Sequence, residues 1–229
     1  MSLLRHTARW LGTQLLRIAD NQPTTNAPSE AAQGAAPDPD SAIIYVLPVT
    51  TGPLRQGEIL SDVTERRRSF QSLTLATPEI EEIRHPYCII ASQDCDLEQD
   101  YDARNGGKTS PDKLIPNILL LQAVTRTELI GALALGSDIR KPVTKNKDDR
   151  YQILERVVEA DDVLKKGLPS LGVDFKRYFT VPTDELYAQV QGSGARRRTQ
   201  LNSNYLERFN QRFAGYLSRV ALLREHRID

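Results

Sequence analysis

The stretch Tyr87-Cys88-Ile89-Ile90-Ala91-Ser92-Gln93-Asp94-Cys95-Asp96-Leu97 runs from a short apolar segment straight into a hydroxyl, an amide, two carboxylates and a thiol. An apolar run of this length, ending in polar residues, predicts a buried strand that delivers a reactive cluster to its end. A second run, Ile118-Leu119-Leu120-Leu121, is apolar on both faces in the same way, so these two segments are expected at the centre of a sheet. Ile43 to Val49 and Glu58 to Val63 are also rich in Ile, Val, Leu and Tyr, with polar or turn residues at their borders, and read as edge or half-exposed strands.

Outward from this core, Asp102 to Pro116 reads as a loop, because it carries Asn105-Gly106-Gly107, Ser110-Pro111 and Pro116. Glu128 to Leu135 reads as a short helix, and Tyr151 to Val158 as either a strand or a helical turn. Thr180 to Leu186 reads as a strand that turns into a helix with Thr183 as its N-cap, and Gly192-Ser193-Gly194 ends that helix. Leu206, Phe209, Phe213, Tyr216, Leu217 and Val220 fall on one face at helical spacing, so the last helix is expected to close the sheet.

The N-terminal part has a different character. Over residues 1–20, Leu3, Leu4, Trp10, Leu11, Leu15, Leu16 and Ile18 alternate with Arg5, Arg9 and Arg17, which predicts an amphipathic helix docked on protein. Contact with a membrane surface is the second reading of that helix. Arg9, Gln14 and Arg17 interrupt any secretory apolar core. Residues 21–41 hold four prolines and no aromatic or large aliphatic side chain, the composition of a flexible linker. One globular domain is expected over 42–229, with a barrel-like core at 42–126 and a mixed, helical part at 127–229.

Thirty Lys and Arg balance thirty Asp and Glu, so no global field steers the protein toward nucleic acid, and any such binding has to come from a local patch. The local candidates are Arg196-Arg197-Arg198 with Lys176 and Arg177, and Glu65-Arg66-Arg67-Arg68. Two cysteines seven residues apart give no disulfide framework, which points to a reducing compartment and a cytoplasmic protein. The chain carries no Gly-rich phosphate loop, zinc spacing, GxSxG elbow or HExxH helix, and no cofactor is expected.

The cluster at Ser92 to Asp96 admits two chemistries. Cys95 would serve as a nucleophile only with a cation beside it, because neighbouring carboxylates raise a thiol pKa. A strand of about seven residues spans roughly 23 Å, which keeps Arg84 and His85 at its far end. Asp94 and Asp96, with Glu98, Asp100 and Asp102, offer hard oxygen ligands at alternate spacing, although a calcium loop begun at Asp94 would have Gln99 where it needs glycine. The simpler expectation is a solvated acidic turn, and a further reading has Asp96 capping or bracing that turn through backbone N–H groups.

Gln56-Gly57-Glu58-Ile59-Leu60, then Arg84-His85-Pro86-Tyr87-Cys88-Ile89-Ile90-Ala91-Ser92, then Ile118 to Thr125 together resemble the core pattern of MazF/PemK-type toxins over roughly residues 55–126. The resemblance implies an α+β protein built on a small SH3-like β-barrel. It also implies metal-independent RNA cleavage, with Arg84 stabilising phosphorane charge and Thr125 positioning the phosphate. Acidic residues beside such a site repel phosphate. The leading expectation is therefore a non-catalytic binding or assembly module of a bacterial defence or toxin-like system, with a protein or a second copy as partner and RNA as a further one. An endoribonuclease using Arg84 and Thr125 is the alternative, followed by a metal- or thiol-dependent enzyme centred on Cys95 and Asp96.

Overall fold

A computed structural model describes residues 43–69, 79–106, 110–132 and 137–218. The expected helix over 1–20, the linker over 21–41 and the last apolar position of the final helix, Val220, lie outside the described residues.

Seven strands form one antiparallel sheet: β1 (Tyr45–Val46), β2 (Glu58–Ser69), β3 (Glu79–Ile90), β4 (Asn117–Thr125), β5 (Tyr151–Leu154), β6 (Leu171–Pro182) and β7 (Arg196–Leu201), in the order β1-β7-β2-β3-β4-β6-β5. Among the described residues five α-helices accompany it: α1 (Asp94–Asn105), α2 (Arg126–Ala132), α3 (Ser137–Thr144), α4 (Thr183–Gln191) and α5 (Ser203–Leu217). The protein is thus α+β. Among the described residues the sheet is not closed by strand pairing, since β1 and β5 each pair on one side only.

Both faces of the sheet are covered, which explains why Cys88 to Ala91 and Ile118 to Leu121 are apolar on both faces. Ile59, Ile89, Leu121, Val173 and Phe175 pack with Phe209 and Phe213 of α5. Phe175 is the hub of that layer, with ring centroids 5.6 Å from both Phe209 and Phe213 and 6.1 Å from Tyr216. Leu60, Cys88, Ile90, Ile118 and Leu120 instead pack with Leu97 of α1 and Leu186 of α4. Each such side chain contributes about 1.5–3 kcal/mol by leaving water.

Several expectations change here. Arg196-Arg197-Arg198 is no solvated basic patch but the start of β7, and Arg197 and Arg198 are buried. Arg197 meets Glu58 of β2, with Nε to Oε2 at 2.7 Å, and donates to the carbonyls of Gly52 and Pro53, both at 3.0 Å. Burial pushes the Glu58 carboxyl above its ordinary range, while the hydrogen bonds from Arg197 pull it back. Arg198 makes a two-pronged pair with Asp162, both contacts at 2.8 Å. Asp162 also accepts the amides of Leu164 and Lys166, so it shapes its own turn.

Residues 102–105 belong to α1 and are not loop, and Glu128 to Leu135 is helical only to Ala132 among the described residues. Tyr151 to Leu154 is a strand. Thr183 is the first residue of α4 and not its cap; its hydroxyl donates to the carbonyl of Ile115 at 2.8 Å. The final helix runs to Leu217, with Phe209 and Phe213 buried and Leu217 exposed.

Candidate functional site

The long strands β2 and β3 leave the sheet as a two-stranded ribbon. Their ladder extends from Ile59↔Ile89 to Ser69↔Glu79, whereas β4 pairs with β3 only over Tyr87 to Ile90. Opposite charges across the ribbon account for the second basic run: Arg66 meets Glu82 at 2.8 Å and Arg67 meets Glu81 at 3.1 Å. At the ribbon's base the chain bends. Asp62 takes a left-handed φ of 66°, and the ladder passes from Ser61↔Tyr87 directly to Val63↔His85.

Arg84 and Asp62 meet across this bend at 2.7 Å. The guanidinium is 71% exposed, on the surface, where an ion pair contributes at most about 1 kcal/mol. Thr125 lies at the end of β4, two residues beyond the last paired position of the β3–β4 ladder, Tyr87↔Ala123. Its side chain and that of Glu128 form a capping box for α2: the Glu128 amide donates to Thr125 Oγ1 at 3.2 Å and the Thr125 amide donates to Glu128 Oε2 at 2.8 Å. Thr125 Oγ1 also donates to that carboxylate at 2.8 Å. Arg84 and Thr125 therefore sit toward the same end of the ladder, but each is committed to its own acidic neighbour.

The acid-rich stretch after β3 is the first turn of α1, where Asp94 and Asp96 face the positive end of the helix dipole. Asp94 holds down the turn before β2, accepting the Gln56 amide at 3.0 Å and pairing with Arg55 at 2.9 Å. The brace expected at Asp96 is thus made by Asp94. Ser92 Oγ accepts the Leu119 amide at 2.8 Å, extending the β3–β4 contact past the end of the ladder. Cys95 is an exposed free thiol, with Gln93 Oε1 at 3.8 Å and Asp96 Oδ1 at 3.6 Å. Asp100 is buried and accepts from Arg104 Nε and from the Ile115 amide, both at 2.8 Å. Among the described residues no three His, Cys, Asp or Glu side chains gather closely enough to hold a metal ion.

His85 is a residue that sequence reasoning placed at a strand end and set aside. It lies inside β3, only 4% exposed, stacked on Phe179 of β6 with centroids 3.9 Å apart and planes 14° from parallel. Its Nε2 bonds Glu65 at 2.9 Å, and its buried Nδ1 has no hydrogen-bond partner. Burial lowers the imidazole pKa, an effect that the hydrogen bond and charge of Glu65 oppose and the nearby Arg67 reinforces. The signal in the sequence was the His85-Pro86 step in mid-strand, since a proline there has no ladder donor and marks an irregularity.

The chain matches no protein-family model, and neither a curated protein nor a solved structure matches it significantly. Among the described residues no helix is long and apolar enough to cross a membrane.

Proposed function

We propose that the protein is a non-catalytic binding or assembly module on a small barrel-like scaffold of the MazF/PemK type, in a bacterial defence or toxin-like setting. One observation carries this reading: four of the six polar side chains expected to do chemistry already have partners within the fold. Arg84 pairs with Asp62, Thr125 with Glu128, Asp94 with Arg55, and Ser92 with the Leu119 amide. A group held in this way is less free to attack, deprotonate or stabilise a substrate than one without a partner.

The barrel-like part of the reading is supported by the segment after β5, which reaches back toward the other edge of the sheet. The Tyr45 hydroxyl donates to the Glu155 carbonyl at 2.7 Å, and the Val163 amide donates to the Arg198 carbonyl at 2.8 Å. The binding role is supported by Ile43, Val46, Leu47 and Val49, large apolar side chains left exposed along the edge strand β1 and its flanks.

The test is a mixed RNA pool incubated with the protein, with and without chelator. No cleavage is expected in either. Metal-independent cleavage that disappears in Arg84→Ala would replace this reading with that of an endoribonuclease.

A further inference from the structure

The open strand edges of the sheet are treated in two different ways. At β5, Asn146 plugs the edge with its side-chain amide: Oδ1 accepts the Ile153 amide at 2.6 Å and Nδ2 donates to the Ile153 carbonyl at 2.9 Å. Arg212 donates to the preceding outward carbonyl, that of Tyr151, at 2.9 Å. On β2, past the last position covered by β7, Gln189 does the same to Thr64, accepting its amide at 2.9 Å and donating to its carbonyl at 2.8 Å. A polar side chain seated on the backbone groups of an edge keeps another strand from pairing there.

Strand β1 has no such plug among the described residues. The Ile44 carbonyl accepts the Asn202 amide at 2.9 Å, so the alternation of an antiparallel ladder turns the N–H and C=O of Tyr45 away from β7. On either side of this outward-facing residue the side chains are apolar and exposed: Ile43 at 65% and Leu47 at 48%, with Val49 beyond at 71%. From Ile43 to Leu54 the chain carries no charged residue. Charged side chains, the common device against edge-to-edge pairing, are thus missing from the edge that also lacks a plug.

This edge is complementary to itself. A two-fold axis at Tyr45 lets its N–H and C=O exchange hydrogen bonds with those of a second copy's Tyr45, and the same register lays Ile43 against the second copy's Leu47. Apolar side chains then meet apolar side chains, and no like charges are brought together. A charged strand from another protein would find no countercharge here. Two-fold pairing also covers both edges at once, so the assembly closes and does not grow.

We propose that the edge of β1 is a self-association surface, on which a second copy of this chain adds antiparallel about Tyr45, with Ile43 of each copy packed on Leu47 of the other. This rests on the reading of the protein as a binding or assembly module and names the partner of its exposed apolar edge. The test is sedimentation equilibrium of the full chain over a range of concentrations, with variants at the two exposed positions. The parent should be a dimer. Ile43→Lys and Leu47→Glu should each weaken it about tenfold or more, because each buries an uncompensated charge twice in a two-fold dimer. The two substitutions together should restore association, since the proposed register sets each Lys opposite a Glu. Ile43→Lys with Leu47→Lys should stay monomeric, and circular dichroism of each variant checks the fold.

A parent that is monomeric at every concentration would overturn the proposal and leave the binding-module reading with a different protein as its partner. A dimer indifferent to the single substitutions, or a Lys-Glu double variant no tighter than either single one, would overturn it as well. Metal-independent RNA cleavage would instead overturn the binding-module reading and leave the dimer standing.

Discussion

Arg197 and Glu58 form an ion pair with side chains only 4% and 0% exposed, which joins β7 to β2 within the sheet. A buried pair of this kind contributes little relative to an apolar pair of the same size, but stranding one partner costs about 3–5 kcal/mol. Arg197→Met and Glu58→Leu should each lower stability by that amount in chemical denaturation. The double variant should recover much of the loss. Additive losses in the double variant would show that the two side chains act independently.

His85 makes stability depend on pH. Its native-state pKa lies below the ordinary value of 6.5, so on acidification the unfolded chain takes up the proton before the native one. The stabilisation is complete above the unfolded pKa and is lost as pH falls through about 6.5 toward the native value. The slope reaches at most about 1.4 kcal/mol per pH unit. Urea unfolding at stepped pH should show this decline, and His85→Gln should flatten it. An unchanged slope in the variant would remove His85 as its source.

Thr125 and Glu128 cap α2 reciprocally, and a cap of this type contributes about 1 kcal/mol. Thr125→Ala and Glu128→Ala should each cost about that much, and the pair should be non-additive in a double-mutant cycle. Full additivity would mean that the box contributes nothing as a unit.

Gly57 has φ of +78°, and a Cβ there would lie 2.6 Å from Leu206 Cδ1. Gly57→Ala combines a left-handed backbone penalty of roughly 1–2 kcal/mol with that clash. Leu206→Ala should relieve the clash and leave the backbone part. Equal losses with and without the second substitution would show that α5 already yields at this point.

The central strands were legible because Ile89-Ile90 and Ile118 to Leu121 are apolar on both faces, and two covered faces are what that pattern requires. Phe209 and Phe213 marked the core face of α5 in the same way. The start of β7 was hidden because Arg197 and Arg198 are charged in the sequence, and only the fold supplies Glu58 and Asp162 as their partners. Helix α1 was hidden because its sequence has almost no amphipathic pattern, with Leu97, Asp100 and Ala103 as its buried residues. Arg84 and Thr125 could be found as candidates. Their engagement with Asp62 and Glu128 depends on a backbone bend and a helix start, which the resemblance did not carry.

A module that does not cut RNA leaves it at full length, so the most direct measurement is the length of RNA recovered after prolonged incubation with an excess of protein in chelator. Full-length RNA is the predicted result. Shortened fragments that are absent with Arg84→Ala would contradict it, since Arg84 would then be acting on phosphate and not merely pairing with Asp62.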